Sequence, residues 1–167
     1  TLDNLHTNDP VSAASIRENF AYWDDIALHF RGERLVSTGH GFCGIGRKKL
    51  LMLLQERAGA LGVDLRYETE VESAEAYRSQ YDIVVANDGL NSKTRMLYKD
   101  TFKPAVDERL CQFVWLGTHQ TFKDAFTFIF EETKHGWVWV HAYQFDGNTA
   151  TFIVECTQKT FDAWGFG

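Results

Sequence analysis

Residues 81–95 read YDIVVANDGLNSKTR, and this segment constrains the fold more than any other stretch of the chain. Ile83, Val84, Val85 and Ala86 form a short apolar run of the kind found in a strand buried on both faces. The run stops at Asn87-Asp88-Gly89, and Ser92 then precedes a basic segment suited to a helix, Lys93 to Arg95. A buried strand that breaks at Asp-Gly predicts an α/β fold, with ligand-handling groups outside the strand's carboxyl end. Gly89 removes a side chain so that a ligand can approach the backbone, and Asp88 offers an acceptor for hydroxyls. The same residues also suit a plain Asp-Gly turn with Ser92 as a helix N-cap. From this segment alone both readings stay open.

Composition bounds the rest. A chain of 167 residues is one domain or parts of two, with an ordinary core. Its 44% apolar and 14% aromatic content is that of a globular protein rather than a disordered one. A net charge of -6, with no cluster of Lys and Arg, argues against nucleic acid as the main partner. The longest apolar run is far too short for a membrane span and no signal peptide opens the sequence, so no membrane is expected either. Cys43, Cys111 and Cys156 form no C-x-x-C pair, which predicts free thiols in a reducing compartment, the cytoplasm. The chain starts at Thr1 and stops at Gly167 just after a strand-like segment, and both ends predict an internal piece of a longer protein. Its oligomeric state is not legible.

Three regions follow from periodicity. Residues 12–23 suit a helix capped by Ser12, with Ile16, Phe20 and Trp23 on one side. Residues 25–30 and 34–38 read as two strands around an Arg31-Gly32 turn. The glycine-rich stretch from Gly39 to Gly46 leads into Arg47-Lys48-Lys49, and Leu50, Leu53, Leu54, Ala58 and Leu61 then recur at helical spacing up to the stop at Gly62. Residues 63–71 and 81–86 read as further strands. From Arg109 the texture turns aromatic and β-rich, with candidate strands at 112–116, 125–131, 137–144 and 149–156 and a turn at Asp146-Gly147-Asn148. The boundary is expected near Pro104.

Gly39-His40-Gly41-Phe42-Cys43-Gly44 is a literal G-x-G-x-x-G ahead of a helix, with Glu68 and Glu70 at about the distance of a ribose-binding acid. The preceding segment is too polar for a central parallel strand, since only Leu35 and Val36 are apolar, and Lys48 stands where a small residue is needed. A loop that delivers Arg47 to a ligand is the preferred reading. The six histidines show no i,i+4 pair and no spacing against Cys or carboxylates, so no metal is expected. Ser92, His141 and Asp88 carry the residue types of a triad, but no G-x-S-x-G occurs, and no catalytic residue is assigned. Trp115, Trp137 and Trp139 are expected in the sheet core, with one face of that sheet lining an aromatic-ligand pocket.

Gly46-Arg47-Lys48-Lys49-Leu50-Leu51 at a helix start, followed by DIVVANDGLNSKTR, resembles the single-component FAD-dependent aromatic hydroxylases. That family has an R-x-x-L helix against the flavin and a D-G-x-x-S-x-x-R motif near the cofactor and the pyridine nucleotide. Arg47 and Leu50 match the first; Asp88, Gly89, Ser92 and Arg95 match the second. More narrowly, WDDIALHFRG, GHGFCGIGRKKLL, FVWLGTHQTFKDAFTFIFEETKHG and NTATFIVEC look like the branch acting on salicylyl- or anthraniloyl-coenzyme A thioesters. The resemblance covers most of the chain from Trp23 onward. The family's N-terminal βαβ unit, with its own G-x-G-x-x-G, and its later G-D motif do not occur in these 167 residues.

The resemblance implies part of an FAD-binding α/β domain over residues 1–104, with an inserted hairpin, and a truncated antiparallel substrate-binding sheet over residues 105–167. It implies an enzyme that hydroxylates an aromatic substrate, or an aromatic acyl-CoA, with FAD as cofactor and NAD(P)H and O2 as co-substrates. Arg47, Asp88, Gly89, Ser92 and Arg95 would be the cofactor-binding residues, with Arg95 closing the turn. Oxygen activation is the reduced flavin's task, so the protein needs no metal or nucleophile. With two of three FAD motifs missing, this piece by itself is expected neither to retain FAD nor to be active. Two other classes stay open: an oxidoreductase whose Gly39–Gly44 loop is a true NAD site, and a noncatalytic module that binds aromatic ligands.

Overall fold

The computed structural model describes residues 2–166, and the chain divides into two compact units: residues up to Asp64 together with those from Leu110 onward, and Leu65–Arg109. In chain order the elements begin with α1 (Leu2–Asn8), α2 (Pro10–Arg17), β1 (Ala21–Trp23), β2 (Asp25–Phe30), β3 (Glu33–Ser37), β4 (Phe42–Gly44) and α3 (Arg47–Ala60). A 3₁₀ turn (Ala74–Tyr77), α4 (Lys93–Leu97) and α5 (Lys99–Phe102) follow in the second unit. The first unit resumes with β5 (Cys111–Thr118), β6 (Ala125–Thr133), β7 (Gly136–Gln144), β8 (Ala150–Thr157) and α6 (Gln158–Trp164).

A six-stranded sheet in the order β3-β2-β6-β7-β8-β5 organises the first unit. Every neighbouring pair is antiparallel except β2 with β6, which run parallel. The β2–β3 hairpin closes through Arg31 and Gly32 at φ 50° and 80°, the left-handed pair that matches the strand twist. This hairpin, expected within the first region of the chain, is thus hydrogen-bonded into the sheet of the second. The register puts Ala27, Ala125, Val140, Ala142, Ala150 and Cys156 on one face, and all six are buried. Burial raises the Cys156 thiol above its ordinary pKa, so it packs as a small hydrophobe. The other face carries Phe126, Phe128 and Phe130 beside Trp139, His141 and Tyr143.

The small pair β1–β4 brings Trp23 next to Phe42, and Trp23 also stacks on Tyr143 at 6.0 Å between ring centroids. Asp9 joins α2 to α3. Its carboxylate accepts from Ser12 Oγ at 2.6 Å and from Arg57 Nε at 3.1 Å, and Arg57 holds it well below the usual carboxylate range, at about 2.

Several expectations are corrected. The helix foreseen over residues 12–23 is α2, which starts earlier: Asp9 is its N-cap, Pro10 opens it, and Ser12 lies inside. Pro10 cannot donate a helical hydrogen bond, so the first turn begins there, and Trp23 belongs to β1. Residues 63–71 and 81–86 are not strands: a bend interrupts each, at Glu68 and Asp82, and Glu68 sits at φ 51°. The two segments lie in or border Leu65–Arg109, where no strand occurs among the described residues, and a ladder needs a partner. Ile83 and Val85 are consequently 79% and 74% exposed, not buried on both faces. Trp115 is not core either: β5 is an outer strand, and the indole is 63% exposed.

Candidate functional site

The Asp88-Gly89 turn is held together from within. Asp88 accepts from Ser92 Oγ at 2.6 Å and from the Thr94 amide at 3.1 Å. These bonds, Ser92 first, lower its pKa to about 2 from an ordinary 3.8, so the carboxylate is ionised throughout the physiological range. A depressed pKa means these bonds are fully present above pH 3.8 and are lost as the pH falls towards about 2. Ser92 is buried and caps α4 by accepting from the Arg95 amide at 2.9 Å. Arg95 turns back and donates to the carbonyls of Gly89, at 3.4 Å, and Leu90. Gly89 sits at φ 75° with nothing within 4 Å of where a Cβ would stand, so its requirement is conformational rather than steric. A cleft of about 620 Å³ in this unit is lined by Arg78, Tyr81, Arg95, Tyr98 and Phe102, among others.

Ser92 thus does two jobs at once. Ser92→Ala removes the α4 cap and one partner of Asp88, and is expected to cost about 1–2 kcal/mol, read as a lower urea midpoint at unchanged m-value.

Arg47 opens α3 and is exposed, and its side chain makes no ion pair or hydrogen bond among the described residues. Gly46 precedes it as N-cap, and no side chain caps the helix. The helix start therefore offers free amides together with a permanent cation. The glycine-rich loop upstream is not a phosphate-binding turn. Its residues 42–44 form β4 against β1, and the Gly39 and Gly41 amides already donate to the Asp24 carboxylate at 3.2 and 3.0 Å. A pyrophosphate there would meet a fixed negative charge.

On the aromatic sheet face, Trp139 Nε1 donates to Glu155 Oε2 at 2.9 Å, and Glu155 Oε1 lies 3.6 Å from His141 Nε2. Sequence reasoning missed this group. Alternation along β7 does put Trp139 and His141 on one face, but Glu155 joins them only through the β7–β8 register, which places it opposite Trp139. That register is set by the turn in which Asp146 accepts from the Asn148 and Thr149 amides at 2.9 and 2.7 Å. Ser92, for its part, is bonded to Asp88 and to the α4 amides rather than to a histidine. Among the described residues, no three His, Cys, Asp or Glu side chains gather into a metal-holding group, and no helix is long and apolar enough to cross a membrane.

No family model matches the chain. It is 41% identical to the salicyloyl-CoA 5-hydroxylase of a Streptomyces species over 118 residues, 71% of this chain and 23% of that protein. It is 32% identical to the protodeoxyviolaceinate monooxygenase of Chromobacterium violaceum over 119 residues, 69% of this chain and 32% of that protein. The chain therefore spans about a quarter to a third of the length of these curated relatives. Its fold superposes on the crystal structure of pqsL, a probable FAD-dependent monooxygenase from Pseudomonas aeruginosa, with a TM-score of 0.65 at 12% identity. That match covers 97% of this chain and 50% of the other. The mixed α/β architecture agrees with these likenesses, and the chain belongs to the FAD-dependent aromatic hydroxylase family.

Proposed function

We propose that this chain supplies flavin-contacting residues and the substrate-side sheet of a monooxygenase that hydroxylates an aromatic ring with NAD(P)H and O2. Residues up to 104 would carry the flavin contacts and residues 105–167 the substrate sheet, which the 25–37 hairpin extends. The observation that carries the reading is the Asp88 turn in a chain of this family: a carboxylate kept ionised by Ser92 and Thr94, with acceptor capacity to spare. The residues fit the cofactor. Arg47, at an uncapped helix start, suits phosphate or flavin oxygens, and Asp88 suits cofactor hydroxyls. Gly89, Ser92 and Arg95 contribute by shaping the turn. Bound FAD supplies the redox chemistry and oxygen activation. The protein's own part is to bind and orient the ring and keep water from the reacting centre. An aromatic acyl-CoA thioester is the proposed substrate class, supported by the 41% identity to the salicyloyl-CoA 5-hydroxylase.

The match to only part of each relative suggests that complete FAD binding draws on residues beyond these 167. The experiment is to express the full reading frame that contains this chain, supply salicyloyl-CoA, and follow NAD(P)H consumption and ring hydroxylation. A yellow protein that forms hydroxylated product is expected, whereas the 167-residue chain by itself should purify colourless. A full-length protein that takes up no flavin overturns the reading.

A further inference from the structure

The aromatic sheet face carries a polar group that family membership does not explain. Phe126 lies 4.9 Å from Phe128 and 5.1 Å from Tyr143, centroid to centroid. Into this surface β7 places His141, whose ring meets Phe128 edge-on at 5.0 Å. Glu155 sits 3.6 Å from His141 Nε2, and both side chains are only 29–30% exposed. Placing a carboxylate and an imidazole among aromatic rings costs solvation that sheet packing does not require. The carboxylate is fixed on its other oxygen by the Trp139 indole at 2.9 Å. Nε2 faces that carboxylate, so Nδ1 is the imidazole nitrogen with no protein partner among the described residues. A neutral imidazole that turns its Nε2–H towards Glu155 presents Nδ1 as an acceptor.

We propose that His141, oriented by Glu155 and Trp139, is a specificity-determining residue that accepts a hydrogen bond from a hydroxyl or amino group on the substrate ring. The inference rests on the reading of this sheet as the substrate side of a monooxygenase. Trp23 and Phe42 already cover Phe126 and Tyr143, so the substrate ring packs at the Phe128 end of this face, and its proton-donating substituent meets Nδ1. Glu155 disfavours a carboxylate at the same position, because two like charges would then share a half-desolvated site. The subsite therefore selects phenols and anilines over ring ethers and free aromatic acids. Glu155 and Trp139 are positioning residues and need not touch the ligand.

Equilibrium dialysis of the 167-residue chain against 2-naphthol, 2-methoxynaphthalene and 2-naphthoate tests this. The chain should bind 2-naphthol roughly five- to tenfold tighter than its methyl ether, the worth of one hydrogen bond, and 2-naphthoate most weakly. His141→Phe should abolish the preference of alcohol over ether, and Glu155→Gln should reduce it. Independently of any variant, the ¹⁵N resonance of His141 Nδ1 should shift with 2-naphthol and not with the ether. Equal binding of alcohol and ether, no binding of either, an unmoved Nδ1 resonance, or a preference that survives His141→Phe would each overturn the assignment. Flavin does not enter this measurement, so it fails separately from the monooxygenase reading, which stands or falls on flavin uptake.

Discussion

Trp23→Ala is expected to destabilise the chain by about 3–5 kcal/mol, the range for removing a large buried aromatic side chain. Trp23 is 8% exposed, and its indole touches three rings: Phe42 and Phe126, each at 6.3 Å, and Tyr143 at 6.0 Å. It ties the β1–β4 pair to the aromatic face of the sheet. Gly44 records how tightly this region is packed, since a Cβ there would lie 3.0 Å from the Trp23 ring and 2.9 Å from the Gln144 carbonyl. The cavity left by alanine cannot collapse without moving that pair. Against a total stability of order 5–15 kcal/mol, such a loss leaves the fold marginal at 37 °C. Trp23→Phe should cost much less, because the indole Nε1 has no hydrogen-bond partner among the described residues and its removal breaks no bond. Denaturant unfolding of both variants checks the contrast, and equal losses would contradict it.

Arg47→Ala, made in the full flavoprotein, is expected to weaken FAD binding about ten- to hundredfold while leaving the melting temperature of the FAD-free protein unchanged. The magnitude follows from losing one charge-assisted hydrogen bond, roughly 1.5–3 kcal/mol. The unchanged stability follows from the structure: Arg47 is exposed at the first turn of α3, and truncating it breaks no side-chain hydrogen bond or ion pair among the described residues. A cation at a helix N-terminus even opposes the helix dipole slightly, so a purely structural account gives no reason to place arginine there. Titration of FAD into the apo-protein, followed by flavin fluorescence, reads the effect. Arg47→Lys should retain part of the affinity that Arg47→Ala loses, through charge without the planar fork.

Local rules read some of this chain well and long-range ones poorly. The β2–β3 hairpin announces itself through Arg31-Gly32, and the four aromatic strands through alternation closed at Asp146-Gly147-Asn148. Gly62 ends α3 at φ 79°, and Ser92 caps α4, as their residue types predict. The apolar run 83–86 misled because hydrophobicity states only that a segment seeks cover, and not which part of the structure provides it. Leu65–Arg109 holds no strand to pair with it among the described residues. Parallel pairing of β2 with β6 was equally illegible, since about a hundred residues separate strands that meet only through tertiary packing. At the candidate site, Arg47, Asp88, Gly89, Ser92 and Arg95 are proposed from their residue types and spacing. Their division between a free cation, an ionised acceptor and turn-holding groups needed the geometry. The Trp139–Glu155–His141 group depended on strand register and left no local signal.

Asp88 carries the central claim, because its carboxylate has both a structural use, on Ser92 and Thr94, and a proposed cofactor use. The decisive measurement is FAD affinity, with hydroxylation coupling alongside, for Asp88→Ala in the full flavoprotein, with Ser92→Ala as the control for a loosened turn. If Asp88 accepts from the cofactor, Asp88→Ala weakens FAD at least about tenfold or diverts oxygen to hydrogen peroxide, well beyond the effect of Ser92→Ala at matched stability. If the turn is only a turn, Asp88→Ala lowers the melting temperature by a few degrees and leaves flavin affinity and coupling as in the unmodified protein. That second outcome would contradict the account.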